Sequence, residues 1–426
     1  MPNFLGMRGT GSWTTDERPK SFREMILYLY PNGDAPLTAI LAKMAMEKVD
    51  DPEFNWWTKT LPTQGGAITG IYTNAALSVA YVSGGVAGDT LYLKCSADDA
   101  SEVRAGHMVV LRLDSDMTLD TVAKVTASTA NGASSYLTVV LREDDDNSTN
   151  GNDLSNATTF LAIGSSNPEG ADRPSGISYD PIKLSNYTQI FRTPLSVTRT
   201  AQRTKMRTGD VYKRLKREAL EIHSLEMERA RIWGIPTEVT GSNGQPERTS
   251  GGILHFLRTY APGNVADFRD DTAVTWASGG KDWLDEKMEL IFRYGKDQKL
   301  ALCGSGALLG INKIAEASGQ YQLMSKATSY GIQVTELVSP FGVLYLKRHP
   351  LFSYNATDRN SMLIIEPEKL KTRVIDDTFF KEDNSETTST GGGRDGKEEE
   401  YLTEDGMELH HPECFGYLNG VGLSGV

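Results

Sequence analysis

The stretch DVYKRLKREALEIHSLEMERARIW is the feature that most restricts how this chain can fold. Tyr212, Leu215, Ala219, Ile222, Glu226, Ala230 and Trp233 recur three or four residues apart, one helical stripe with a single polar break at Glu226. Thr208 or Asp210 can cap its start, and Gly234 and Pro236 stop it. At 1.5 Å per residue the predicted helix, residues 211–234, spans about 36 Å, longer than the roughly 30 Å width of a small domain. Lys213, Arg214, Lys216 and Arg217 crowd its first turns, where the helix macrodipole disfavours cations. They read either as a solvated face or as a surface kept for a partner.

What flanks this strut differs in kind on its two sides. Before it, residues 66–200 carry short runs in which Val, Thr, Tyr and Leu alternate with polar residues, as in DTLYLKCSA, HMVVLRLDSD and SYLTVVLRED, with Gly, Asn, Asp and Ser between them. That spacing predicts short strands in a small β-sandwich or barrel insert. After it, KDWLDEKMELIFRYG reads as an amphipathic helix, QKLALCG as a strand, GALLGINKIAEASG as a helix, and GIQVTELVSPFGVLYLKRHP as two strands around a turn. The whole is α+β. At the N-terminus, residues 1–20 are too polar to fold alone. SFREMILYLY and APLTAILAKMAM follow as short helical patterns, and Trp56 and Trp57 form an aromatic knot that reads as a packing anchor. Residues 380–400 are a polar tract without core residues, read as loop.

The 426 residues suggest two or three domains or one elongated fold, and 39% hydrophobic residues with 41 glycines is thin for one compact core. A net charge of −12 argues against a dedicated nucleic-acid binder. Cys95, Cys303 and Cys414 are odd in number and far apart, so they read as buried free thiols of a reducing compartment. No signal peptide and no membrane-length apolar run is visible.

Sites for chemistry find little support. Gly304, Gly306 and Gly310 after an apolar run form a GxGxxxG, one residue longer than the dinucleotide fingerprint, with Glu336 as a distant acidic candidate. An enzyme with a nucleotide-binding α/β domain around Gly304–Gly310 is therefore the alternative to weigh. A strand-to-helix turn that needs backbone room is the reading preferred here. Gly391, Gly396 and Lys397 have P-loop spacing, but Glu398 stands where Ser or Thr is required. DNSTNG begins like a calcium loop, yet Ala157 occupies the position of its bidentate Glu. His410, His411, Glu413 and Cys414 cluster in sequence, but adjacent strand residues face opposite sides. The expectation is no catalytic residue, no cofactor and no metal; the residues expected to matter for folding and assembly are Trp56, Trp57, Tyr212, Leu215, Ile222, Trp233, Gly304 and Gly306.

The order of these parts, together with ILYLYPNGDAPLTAILAKM followed by PEFNWW, NYTQIFRTPLSVTRTAQ leading to EMERARIWG, SPFGVLYLKRHPLF and YLTEDGMELHHPECFGYLNGVG, resembles the major capsid proteins of tailed bacteriophages with the Hong Kong 97-like fold. The likeness runs from about residue 22 to 421 and is least at 75–165. It implies an N-terminal arm and short helices over 1–50, and an extended loop region with a β-rich insert over 51–208. It further implies a peripheral domain from 209–234 and 346–426, and an axial domain from 235–345. By the same likeness the chain would be a non-enzymatic shell subunit assembling with itself into hexamers and pentamers around double-stranded DNA. Portal, scaffolding and decoration proteins would be its partners, with no membrane, and assembly would occur in the host cytoplasm. Another virion structural protein is the remaining alternative, although tail-tube and decoration proteins are mostly β. Nothing resembling the removable N-terminal scaffolding segment of some relatives is seen, so the sequence does not suggest a cleaved form.

Overall fold

The computed structural model describes residues 46–59, 62–114, 116–145, 153–170, 172–204, 210–318, 323–329, 332–382 and 396–424. The polar arm, both N-terminal helical patterns up to residue 45, the DNSTNG stretch and the middle of the 380–400 tract lie outside the described residues. The chain forms two compact units, Met1–Trp56 with Lys183–Val426, and Trp57–Ile182.

Within Trp57–Ile182 one seven-stranded antiparallel sheet runs in the order Gly65–Ala67, Thr159–Ser165, His107–Leu113, Asp116–Thr129, Tyr136–Leu141, Thr90–Lys94, Gly70–Tyr72. Its first and last strands are consecutive in the chain. Between them, the Ile68 amide donates to the Thr158 carbonyl at 2.7 Å and the Thr69 amide to the Lys94 carbonyl at 2.9 Å. One segment therefore pairs with both ends of the sheet and closes it into a barrel, which leaves no open edge to aggregate. The alternation that predicted strands also fills the interior: Leu91, Leu93, Val109, Leu111, Val125, Leu137, Val139 and Phe160 are buried together. Helix Ala97–Glu102 packs Ala100 against this core, and Ser96 caps it by accepting the Asp99 amide at 3.0 Å.

The other unit is built on a seven-stranded mixed sheet. Its order is Val265–Asp267, Gly416–Asn419, Met362–Ile365, Gln298–Cys303, Gly342–Arg348, Ile332–Ser339, Leu323–Ser329. The run LALC supplies the central strand, buried on both faces, as an unbroken apolar run should be. Leu300 and Leu302 face one core, with Ile253, Phe256, Leu257, Phe352 and Trp56. Ala301 and Cys303 face the other, with Trp283, Leu284, Met288, Ile311 and Ile314 from helices Trp276–Phe292 and Ser305–Ser318.

The same unit holds a second sheet of four strands, in the order Met46–Lys48, Leu370–Lys381, Gly396–Leu409, Gln189–Thr198. Its last strand alternates strictly, with Phe191, Thr193, Leu195 and Val197 buried. The long helix, Val211–Trp233, packs against this strand and its neighbour Gly396–Leu409. The polar tract read as loop is shorter at both ends than the sequence suggests. Strand Leu370–Lys381 runs into it, and strand Gly396–Leu409 starts inside it, with Glu398, Glu399 and Glu400 registered opposite Ser196, Leu195 and Pro194. Lys397, part of the P-loop-like spacing, is thus a strand residue paired with Val197 and not part of a phosphate-binding turn.

Candidate functional site: the spine helix and the glycine turn

The long helix starts where Asp210 accepts the amides of Tyr212 and Lys213 at 3.0 and 3.4 Å. It ends at Gly234, whose amide donates to the Ala230 carbonyl at 2.8 Å. A side chain at 234 would run into the carbonyl oxygens of Ser250 and Ala230, so only glycine lets the chain turn here.

Its buried residues are Ala219, His223, Met227, Glu228, Arg231 and Ile232. That face lies to one side of the stripe drawn from apolar spacing: Ile222 is 50% exposed, while His223 beside it is buried. The reason is that the helix docks largely through polar side chains, each matched to a partner. His223 Nδ1 lies 2.9 Å from Thr193 Oγ1 and its Nε2 2.8 Å from Thr403 Oγ1, which stitches the helix to two neighbouring strands. Burial holds the His223 imidazole below its ordinary range. Arg231 forms an ion pair with Asp405 in which both side chains are nine-tenths buried or more. Glu228 Oε1 meets His349 Nε2 at 2.9 Å with both side chains fully enclosed. Buried polar and charged groups are tolerated only when partnered, so Arg231–Asp405 fixes how the helix sits on its sheet, and Glu228–His349 ties it to the residue after strand Gly342–Arg348.

The other expected residues fall at distinct places. Tyr212 is half-buried and donates to Glu399 Oε2 at 2.5 Å; burial first, then this carboxylate, pushes its hydroxyl up to about 12. Leu215 is half-buried. Trp233 packs edge-on against Phe352 at 5.4 Å. Trp56 is buried, stacks near Phe54 and Phe256, and donates its indole N–H to the Leu409 carbonyl at 3.1 Å, while Trp57 is 64% exposed. In the basic cluster, Arg214 and Arg217 bridge to Glu218 and Glu221 one turn on, and Lys216 sits 3.5 Å above the Phe380 ring. The helix and its sheet thus engage three of the four cations in this cluster.

The glycine turn joins the central strand Gln298–Cys303 to helix Ser305–Ser318. In a dinucleotide fold the amides at such a helix start bind pyrophosphate. Here the Gly306 and Ala307 amides donate to the Arg359 carbonyl at 2.9 and 3.2 Å, and the Gly304 amide to the Ser361 carbonyl at 2.9 Å. A Cβ on Gly304 would strike the Arg359 carbonyl, one on Gly306 would stand 2.7 Å from Asn360 Oδ1, and one on Gly310 would strike Gly422. The room that the glycines leave is filled by the chain's own 358–361 loop and C-terminal turn. The strands beside the central one also differ in direction, parallel for Gly342–Arg348 and antiparallel for Met362–Ile365, and Glu336 lies on a strand antiparallel to the former. A doubly wound nucleotide fold needs parallel strands on both sides.

The His410–Cys414 cluster diverges. His410 hydrogen-bonds to Glu408, His411 takes a left-handed backbone with φ 54°, and Cys414 faces Lys369. Among the described residues no group of three or more His, Cys, Asp and Glu could hold a metal, and no helix is long and apolar enough to cross a membrane. Sequence reasoning missed Glu228, Arg231 and Asp405, and also Lys299, which is buried and donates to the carbonyls of Ile291, Tyr294 and Cys414 at 2.9, 2.8 and 2.7 Å. A lysine directly before the apolar LALC run was the available signal.

Comparison with known proteins decides what such a scaffold is. Residues 7–422 match the profile of the family described as SU10 major capsid protein. The chain belongs to that family. It is a phage major capsid protein, a structural component of the virion and not an enzyme. The major capsid protein of Pseudomonas phage PaMx41 is 24% identical over 437 residues, covering 99% of this chain and 97% of that one. Among solved structures, one of Mycobacterium phage Bobi is similar over 95% of this chain and 96% of its own, at 8% identity and a TM-score of 0.44. The holo-SrpI encapsulin complex from Synechococcus elongatus PCC 7942 is similar over 57% of this chain and 78% of its own, at 13% identity and a TM-score of 0.39.

Proposed function

We propose that this capsid protein assembles into hexamers and pentamers that close an icosahedral head of the Hong Kong 97-like type around double-stranded DNA. The observation that carries the reading is the long helix docked on a four-stranded sheet through the buried Arg231–Asp405 ion pair and the His223 hydrogen bonds, in a chain that also holds a mixed α/β sheet and a closed β-barrel insert. Such a subunit is stiff where it must keep its shape. In this reading residues 1–50 are the arm, 51–208 the extended loop region with its insert, 209–234 and 346–426 the peripheral domain, and 235–345 the axial domain. Trp57 and Ile222, both exposed, are candidates for contact with neighbouring subunits. The net charge of −12 suits a wall that packaged DNA must fill without adhering, since phosphate contacts need cations. Portal, scaffolding and decoration proteins are the further partners, and assembly takes place in the cytoplasm of the bacterial host. Electron microscopy of the expressed protein tests this: capsomers, shells or tubes are expected, and a monodisperse monomer at high concentration would overturn it.

A further inference from the structure

Cys414 has a neighbour unlike those of the other two cysteines. Cys95 and Cys303 are enclosed in apolar cores, where burial pushes both thiols up, Cys95 to about 11. Cys414 is 2% exposed, and Lys369 Nζ lies 2.7 Å from its Sγ. N–H···O bonds run about 2.7–3.2 Å. Sulfur is a larger atom than oxygen, so a hydrogen bond to it belongs at longer range than this. The separation suits two atoms joined through a third. The Glu366 carboxylate stands 3.4 Å from the same Nζ, so the Lys369 head group lies between a carboxylate and the Cys414 sulfur. The Lys369 side chain is 21% exposed, which leaves a small molecule a way in.

We propose that Lys369 and Cys414 are a modification site that dioxygen closes into a covalent N–O–S bridge. One N–H bond of the neutral amine and the S–H bond break, and an N–O and an O–S bond form. One oxygen atom of dioxygen becomes the bridge. The other leaves as water with the two hydrogens, and nitrogen and sulfur supply two electrons each. The bridge joins turn Pro367–Lys369 to turn Pro412–Cys414, which the backbone already brings together through the His410 amide and the Lys369 carbonyl at 2.9 Å. These turns lead into strands Leu370–Lys381 of the four-stranded sheet and Gly416–Asn419 of the seven-stranded sheet. Thiol reductants keep the pair open, and exposure to dioxygen without them locks the two turns.

Intact-mass spectrometry of the full chain, held in dithiothreitol or exposed to air without it, tests the assignment. The air-exposed wild type should be about 14 Da heavier, one oxygen gained and two hydrogens lost, and should return on reduction. Peptide mapping should show Lys369 and Cys414 in one linked species, and the bridged form should melt higher than the reduced one. Lys369→Arg, which keeps the cation, and Cys414→Ser should not gain this mass. Their urea midpoints in dithiothreitol, matched to reduced wild type, show that the fold is intact. An unchanged mass in air overturns the proposal, as does sulfur oxidation that persists in Lys369→Arg. A loss of about 2 Da, which marks a direct N–S bond, overturns it as well.

Discussion

Arg231 on the spine helix and Asp405 on strand Gly396–Leu409 form an ion pair with both side chains nine-tenths buried or more. The guanidinium's Nη1 has no hydrogen-bond partner among the described residues, so the pair is not fully satisfied. Removing one partner leaves a charge in the interior. Arg231→Met alone should therefore cost about 3–5 kcal/mol in urea unfolding, whereas replacing both partners by Met and Leu should restore most of the loss. A single substitution within about 0.5 kcal/mol of wild type would show that the pair does not hold the helix.

His223 gives the same interface a pH dependence. Burial keeps its imidazole below the ordinary value of about 6.5. Below that pH the unfolded chain binds a proton that the folded chain does not. Stability is therefore full above about 6.5 and falls as the pH drops toward the folded value, by at most about 1.4 kcal/mol per pH unit. His107 and His255 are lowered too and add to the wild-type slope. The informative quantity is the difference between wild type and His223→Gln in urea midpoints from pH 7.5 down to 5.5, where the variant should show the flatter profile. Parallel profiles would mean that His223 does not titrate in the fold.

Much of this architecture was legible because apolar periodicity reports burial. LALC announced an apolar strand, and the alternating runs announced short strands of a sandwich or barrel, of which the structure forms the barrel. Glycine and proline marked the end of the spine at Gly234 and Pro236. The register of the spine's buried face was not legible. Glu228 and Arg231 look like surface residues until Glu228's partner His349 and Arg231's partner Asp405, each more than 100 residues away, are brought to them. A pattern counts hydrophobic side chains but cannot count charges neutralised by tertiary contacts. The glycine turn was ambiguous for a related reason, since what fills the space beside Gly304 comes from residues 358–361.

That filling makes the two glycines unequal. A methyl group at 304 meets a backbone carbonyl, which cannot move without shifting the 358–361 loop, whereas at 306 it meets the end of the Asn360 side chain. Gly304→Ala should cost about 1–3 kcal/mol, as overpacking does. Gly306→Ala should cost less and be eased further by Asn360→Ala. Thermal melts of the three variants check this order, and equal losses at 304 and 306 would refute the account.

The last prediction separates folding from assembly. Trp56 and Trp57 are adjacent on strand Glu53–Thr58, yet Trp56 is 6% exposed and Trp57 64%, because neighbouring strand residues point to opposite sides. Trp56→Ala removes a ring packed on Phe54 and Phe256 and should cost about 3–5 kcal/mol. Trp57→Ala should leave the melt of the dissociated subunit within about 0.5 kcal/mol of wild type, as surface changes do. If Trp57 instead serves contact between copies, its loss should appear in the yield of particles counted by electron microscopy. A normal yield from Trp57→Ala would remove Trp57 from the assembly surface while leaving the account of Trp56 intact.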